Sequence, residues 1–229
     1  MKLWLTAAVV GAVLLAGCGD AAKEALEGTE ELDTAMCDPS GGPFTLEITN
    51  PYLPYLPGQQ WVLESSSEKV QITVLEDTEV VAGVTTRVVE EREWVGGELV
   101  EVSRNYVVQA PDGSVCYFGE AVDDYKGGEL SGHGGAWRAG ENGALPGILM
   151  PGDPRVGTSH KQEIAPGSAE DASIVVAIGE PYTVPAGTFE DTLETKDVDP
   201  IGGGVDPKRY ARGVGLVVDE ALTLRSFSD

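Results

Sequence analysis

Histidine is almost missing from this chain: His133 and His160 are the only two among 229 residues. An imidazole-based zinc centre would need carboxylates from distant segments, and no metal or cofactor site is expected. Cations are scarce as well. Fifteen Lys and Arg face 38 Asp and Glu, a formal charge of −23. Such a surface repels phosphate backbones and anionic headgroups, which argues against nucleic acid or electrostatic membrane docking. The motifs of nucleophilic catalysis are lacking. There is no Gly-x-Ser-x-Gly, no Ser-x-x-Lys with its partner motifs, and no Cys beside a candidate base, so no catalytic residue is expected. Long apolar runs are limited to residues 3–16, which fall short of the roughly 20 residues that a membrane-crossing helix needs.

That short run follows Lys2 and ends in Leu15-Ala16-Gly17-Cys18. One basic residue, an apolar middle and small residues before a cleavage point make an export signal, and Cys directly after Leu-Ala-Gly resembles the bacterial lipobox. The resemblance implies that the Cys18 thiol receives a diacylglyceryl group, that residues 1–17 are removed, and that the new N-terminus is acylated. Paired acyl chains hold a protein on a membrane durably, at about 0.8 kcal/mol per buried methylene. The chain is thus expected in a bacterial cell envelope, facing the periplasm or exterior and held by lipid. With Cys18 modified, Cys37 and Cys116 remain in a compartment that permits disulfides. Two readings stay open for them, a bridge or two buried thiols. A bridge would close a loop long enough to contribute roughly 4 to 5 kcal/mol.

Residues 18–42 are small, acidic and polar apart from Ala22, Leu26, Leu32 and Met36. They read as a polar tether with room for a short helix at 21–26. Over residues 43–229 the texture changes to short alternating runs separated by Gly, Pro and Asp, the pattern of antiparallel strands. Val70, Ile72 and Val74 share one face against Gln71 and Thr73, while Val100, Val102, Tyr106 and Val108 oppose Glu101, Ser103, Asn105 and Gln109. Gly96-Gly97 suits a primed hairpin turn. Residues 131–158, rich in Gly and Pro yet carrying Trp137, Leu145, Ile148, Leu149 and Met150, form a long inserted loop that should fold back on the sheet as a lid or plug. The length suits one mainly β domain. A single antiparallel meander of this size handles its edges by curling into an open or closed barrel, with a two-sheet sandwich as the alternative.

Two segments add a family likeness. Val184-Pro185-Ala186-Gly187-Thr188-Phe189-Glu190-Asp191 and Tyr210-Ala211-Arg212-Gly213-Val214-Gly215-Leu216-Val217 resemble the paired signature of exported bacterial proteins with a curved sheet of the lipoprotein-carrier (LolA/LolB-like) type. Asn50-Pro51-Tyr52-Leu53-Pro54, ahead of Gly58 and Trp61, resembles their opening strand. The tract from Tyr117-Phe118-Gly119-Glu120 through Trp137, Pro146-Gly147, Met150-Pro151 and Glu170-Asp171 is similar to one subgroup of such lipoproteins. The likeness implies a curved sheet and permits lipid binding in an apolar concavity.

Other clusters have ordinary explanations. Gly213-Val214-Gly215 precedes a valine-rich strand and lacks the Lys and helix of a phosphate loop. Asp123-Asp124, and Asp197, Asp199 and Asp206, lie near turns but lack the spacing of a helical calcium loop. His133 reads as solvated and His160 as a strand-surface residue. The expected function is a monomeric, non-catalytic lipoprotein, either ligand-binding or envelope-associated, in which Trp137 and Met150 at the barrel mouth would touch a small or apolar ligand. The alternatives are a partner-docking lipoprotein with a filled barrel, or a hydrolase using a carboxylate pair such as Glu120 with Asp123 or Asp124, or Glu170 with Asp171.

Overall fold

A computed structural model describes residues 18–228; the export signal at residues 1–17 lies outside them. The chain opens with a helix, α1 (Cys18–Leu26), and a two-residue strand, β1 (Glu30–Glu31). Two 3-10 turns and a small hairpin, β2 (Ile48–Asn50) and β3 (Leu53–Tyr55), lead into a meander of β4 (Gln60–Glu64), β5 (Glu68–Val81), β6 (Val84–Val95), β7 (Glu98–Gln109) and β8 (Val115–Lys126). Three short strands, β9 (Glu129–Gly132), β10 (Trp137–Arg138) and β11 (Gly147–Met150), then pair with β8. A second meander follows: β12 (Thr158–Lys161), β13 (Ala172–Val184), β14 (Gly187–Val198), β15 (Val205–Ala211), β16 (Gly215–Asp219) and β17 (Leu222–Ser228). The Gly- and Pro-rich insertion thus folds back onto β8, burying Trp137, Ile148 and Met150 but leaving Leu145 exposed.

The C-terminal strand decides the topology. β17 pairs with β4, setting Leu224 opposite Leu63 and Phe227 opposite Trp61, and so joins the two meanders edge to edge. β1 then adds to β12 in parallel. The expected single antiparallel meander is therefore corrected to two meanders joined into one large mixed sheet. Alternation reports strands but carries no record of which distant edges meet. No closed barrel is traced among the described residues. Beyond the ladder, the Leu145 N–H donates to the Ile164 carbonyl at 2.9 Å, and Gly147 lies so close to Gln162 that a Cβ would fall 2.2 Å from its carbonyl oxygen.

Directly paired residues share a face, and following them across the sheet exposes a switch in chemistry. One row runs Trp61, Ile72, Glu91, Ser103, and the next runs Leu63, Val70, Glu93, Glu101, Asp124. The inner face is therefore apolar on β4 and β5, where Trp61, Leu63 and Ile72 are all within 2 % of fully buried, and carboxylate-bearing on β6 to β8.

The segments of the family likeness converge at the opposite end of the sheet. The Tyr52 hydroxyl donates to Asp191 Oδ1 at 2.8 Å, Arg212 pairs with Asp191 and lies over the Tyr52 ring, and the Gly213 N–H donates to the Pro51 carbonyl at 2.7 Å. Trp61 Nε1 donates to the Val214 carbonyl at 2.7 Å, and Gly215 lets that indole lie against the backbone. Gly213-Val214-Gly215 is a seat for a tryptophan.

The expected tether at residues 18–42 is corrected as well. Ala22 is buried with Ile174 and Val198, and Val205 packs against the same cluster. These side chains lie on the outer face, because Val175 and Asp197, their neighbours in sequence, point inward. A small residue at position 22 lets the helix approach the sheet closely. Further along, β1 hydrogen-bonds to the β12 edge, and Cys37 is bonded to Cys116 across 79 positions. Sparse apolar residues suffice here because an apolar patch and a covalent link receive them. Replacing both cysteines by alanine is expected to lower the urea-unfolding free energy by roughly 4 kcal/mol, the chain-entropy value for such a loop.

Candidate functional site

At the end of the sheet carrying the β6–β7, β8–β9 and β16–β17 turns, the inner face opens into a cavity of about 580 Å³, within the range of small-molecule sites. The apolar packing that fills the other half stops where the rows turn to carboxylates. Eight carboxylic acids and three lysines line the space. Its inner wall carries Glu91, Glu93 and Glu101; its rim carries Trp94, with Lys69 Nζ 4.9 Å from the indole centroid.

Lys208 anchors the floor. Its ammonium lies 3.4 Å from Asp197 and 3.4 Å from Asp219, with all three side chains at most 16 % exposed. Burial alone would push Lys208 down. Asp219 and Asp197, with Tyr210 and Glu91 beyond them, instead hold it well above the ordinary lysine value. Burying a charge without a partner costs several kcal/mol, so this lysine is committed to its two aspartates. Burial, followed by the charge of Asp197, also keeps Tyr210 protonated.

Deeper in the sheet, the Tyr117 hydroxyl donates to Asn105 Oδ1 at 2.5 Å and approaches Glu120 Oε2 at 3.1 Å. Burial, then Glu120 and Glu163, hold the phenol well above its ordinary value, and Glu91 adds to the effect. Glu91 therefore acts on both Lys208 and Tyr117, which links the cavity wall to this second polar group.

Neither Trp137 nor Met150 lines the cavity. Trp137 packs edge-on against Tyr117 at 5.3 Å with its buried Nε1 unpartnered, and Met150 sits in the core at 1 % exposure. The aromatic residues that line it are Trp94 and Tyr125. Cys18 begins α1. His160, expected on a strand surface, is 1 % exposed, because β12 is flanked by β1 and β13 and turns residue 160 inward. Burial holds it neutral down to about 4, against the opposing charge of Asp197. His133 is solvent-facing, with Nδ1 3.1 Å from Asp123 Oδ1.

The acidic turns are committed locally. Asp199 caps its own turn through the Ile201 and Gly202 N–H groups, Asp123 pairs with Arg104, and Glu170 accepts from the Gly167 N–H. Among the described residues no group of three or more His, Cys, Asp or Glu side chains is arranged to hold a metal, and no helix is long and apolar enough to cross a membrane. No family model, curated protein or solved structure matches the chain.

Glu220, on the cavity wall at the β16–β17 turn, carries the most informative titration. Burial, then Asp206 and Asp219, raise it from 4.5 to about 7 despite Lys208. Between these two values the folded state binds more protons than the unfolded chain, so this group's contribution to stability falls as pH rises through the window. Glu220→Gln is expected to raise the thermal unfolding midpoint relative to wild type near pH 8. The difference should shrink towards pH 4.5, as read by circular dichroism melts across that range.

Proposed function

We propose that this protein is a lipid-anchored bacterial envelope lipoprotein that acts as a non-catalytic binding module. Its sheet is read as an open barrel, half filled by an apolar core and half hollow. The observation that carries the reading is the cavity of about 580 Å³ on the inner face. A partner-docking lipoprotein with a filled barrel has no use for such a space, and an apolar ligand alone has no use for its carboxylates.

The anchor rests on Leu15-Ala16-Gly17-Cys18 and on the position of the residue that follows the cut. Cys18 is the first residue of α1, which packs near the β14–β15 turn. In an antiparallel sheet, that turn lies at the same end as the β6–β7, β8–β9 and β16–β17 turns around the cavity. Lipid on Cys18 would thus hold the folded body against the bilayer with no long spacer, the cavity end nearest the membrane. The hydrolase alternative leans on Glu120 with Asp123 or Asp124, or Glu170 with Asp171; Glu120 accepts from the Tyr117 hydroxyl, Asp123 pairs with Arg104 and Glu170 accepts from the Gly167 N–H, which favours the binding module.

The membrane-extracted protein is expected to carry both an acyl modification on Cys18 and a co-purifying small molecule in native mass spectrometry. The Cys18→Ser chain should appear in the soluble fraction with the small molecule still bound. An unmodified Cys18 thiol, or membrane retention of the Cys18→Ser chain, would count against the anchor; a preparation with no adduct would count against the binding module.

A further inference from the structure

At the β16–β17 turn, like charges meet around a cation that is already committed. Glu220 lies on the cavity wall with Glu68, Lys208, Asp219 and Leu222. The carboxylates that act on it come from three strands: Asp206 on β15, Asp219 on β16 and Glu68 on β5. Lys208, on β15, opposes them, but its ammonium is held between Asp197 of β14 and Asp219. In a half-buried position such repulsion is screened less than on an open surface. The backbone adds strain at the same residue. Glu220 has φ +52°, a left-handed conformation that favours glycine. A backbone strap holds the turn to β15, the Glu220 N–H donating to the Pro207 carbonyl at 2.9 Å. Pro207 stands next to Asp206, so the strap draws the Glu220 carboxyl towards a group that repels it. Strain of this kind persists only where the surroundings hold it, and it is characteristic of switch regions.

We propose that the β16–β17 turn is a proton-operated edge of the cavity, seated against β15 while Glu220 is protonated and displaced from it, widening the cavity, once Glu220 ionises. Resting on the reading of the cavity as a ligand site, the turn regulates access to that site. The direction follows from the surroundings of the carboxyl. The seated turn holds Glu220 at about 7 against an ordinary 4.5, so the seated form loses its advantage as pH rises through that window.

The test uses the full-length chain carrying Cys18→Ser, without added ligand, followed by NMR between about pH 5.5 and about pH 8, the window that the linkage sets. The Glu220 amide reports the strap. Its hydrogen-exchange protection, corrected for the intrinsic rate, is expected to fall about tenfold or more over that interval. The Gly96 amide, which donates to the Ser67 carbonyl at 2.8 Å at the same end of the sheet, should change by less than about twofold. Relaxation of the Leu222 methyls by the neutral nitroxide TEMPOL should rise together with Glu220 exchange, because Leu222 is 9 % exposed in the seated form. Glu220→Gln should hold both readouts at their acidic values, and Asp206→Asn should move the transition to lower pH. Melting curves of each variant report whether the fold is intact. Protection that does not fall, a fall that persists in Glu220→Gln, or a fall with no rise at Leu222 would overturn the switch. None of these results bears on whether the cavity holds a ligand, which native mass spectrometry tests separately.

Discussion

Carboxylates on the inner face of a sheet are costly, and the structure is organised around that cost. Charge cannot be removed from water without a partner, a hydrogen-bonding network or access to solvent. Partners and networks both appear. Lys208 partners Asp197 and Asp219, Tyr117 and Asn105 join Glu120 in a buried network, and Glu91, Glu93 and Glu101 line the wall of the cavity. Had β6 to β8 carried valines at these positions, the apolar rows of β4 and β5 would have continued across the sheet and filled the hollow.

The opposite end is densely cross-linked by side-chain contacts. Trp61 seated on Gly215, the Tyr52, Asp191 and Arg212 cluster, and the β17–β4 pairing tie the N-terminal and C-terminal meanders together. These are the residues of the lipoprotein-carrier likeness, and their contacts are structural. The motif residues hold one end of the sheet while the cavity residues, drawn from other segments, give the other end its chemistry.

Much of the strand content was legible because alternation is a local property. Val70, Ile72 and Val74 announced β5, and Gly96-Gly97 announced its hairpin neighbours. The same alternation on β7 separated Val102 from Glu101 and Ser103, but it could not say that the acidic set faces inward, since that depends on which residues of β6 stand opposite. Edge pairing escaped for the same reason: nothing local in the final residues distinguishes a strand that meets β4 from one that ends a meander. The packed N-terminal segment was hidden because Ala22, Leu26, Leu32 and Met36 are too sparse to announce packing, and the burial of Ala22 depends on a patch formed by Ile174, Val198 and Val205. The cavity lining was not visible as a site, because it exists only once the ends of strands from both meanders are brought together.

The acidic cavity mouth is the claim on which the functional account turns, and quenching of Trp94 fluorescence tests it most directly. Caesium, drawn in by the carboxylates, is expected to quench Trp94 strongly, iodide is expected to quench it weakly, and the contrast should disappear in Trp94→Phe. Equal quenching by the two ions, or stronger quenching by iodide, would contradict an open cavity walled by Glu91, Glu93 and Glu101.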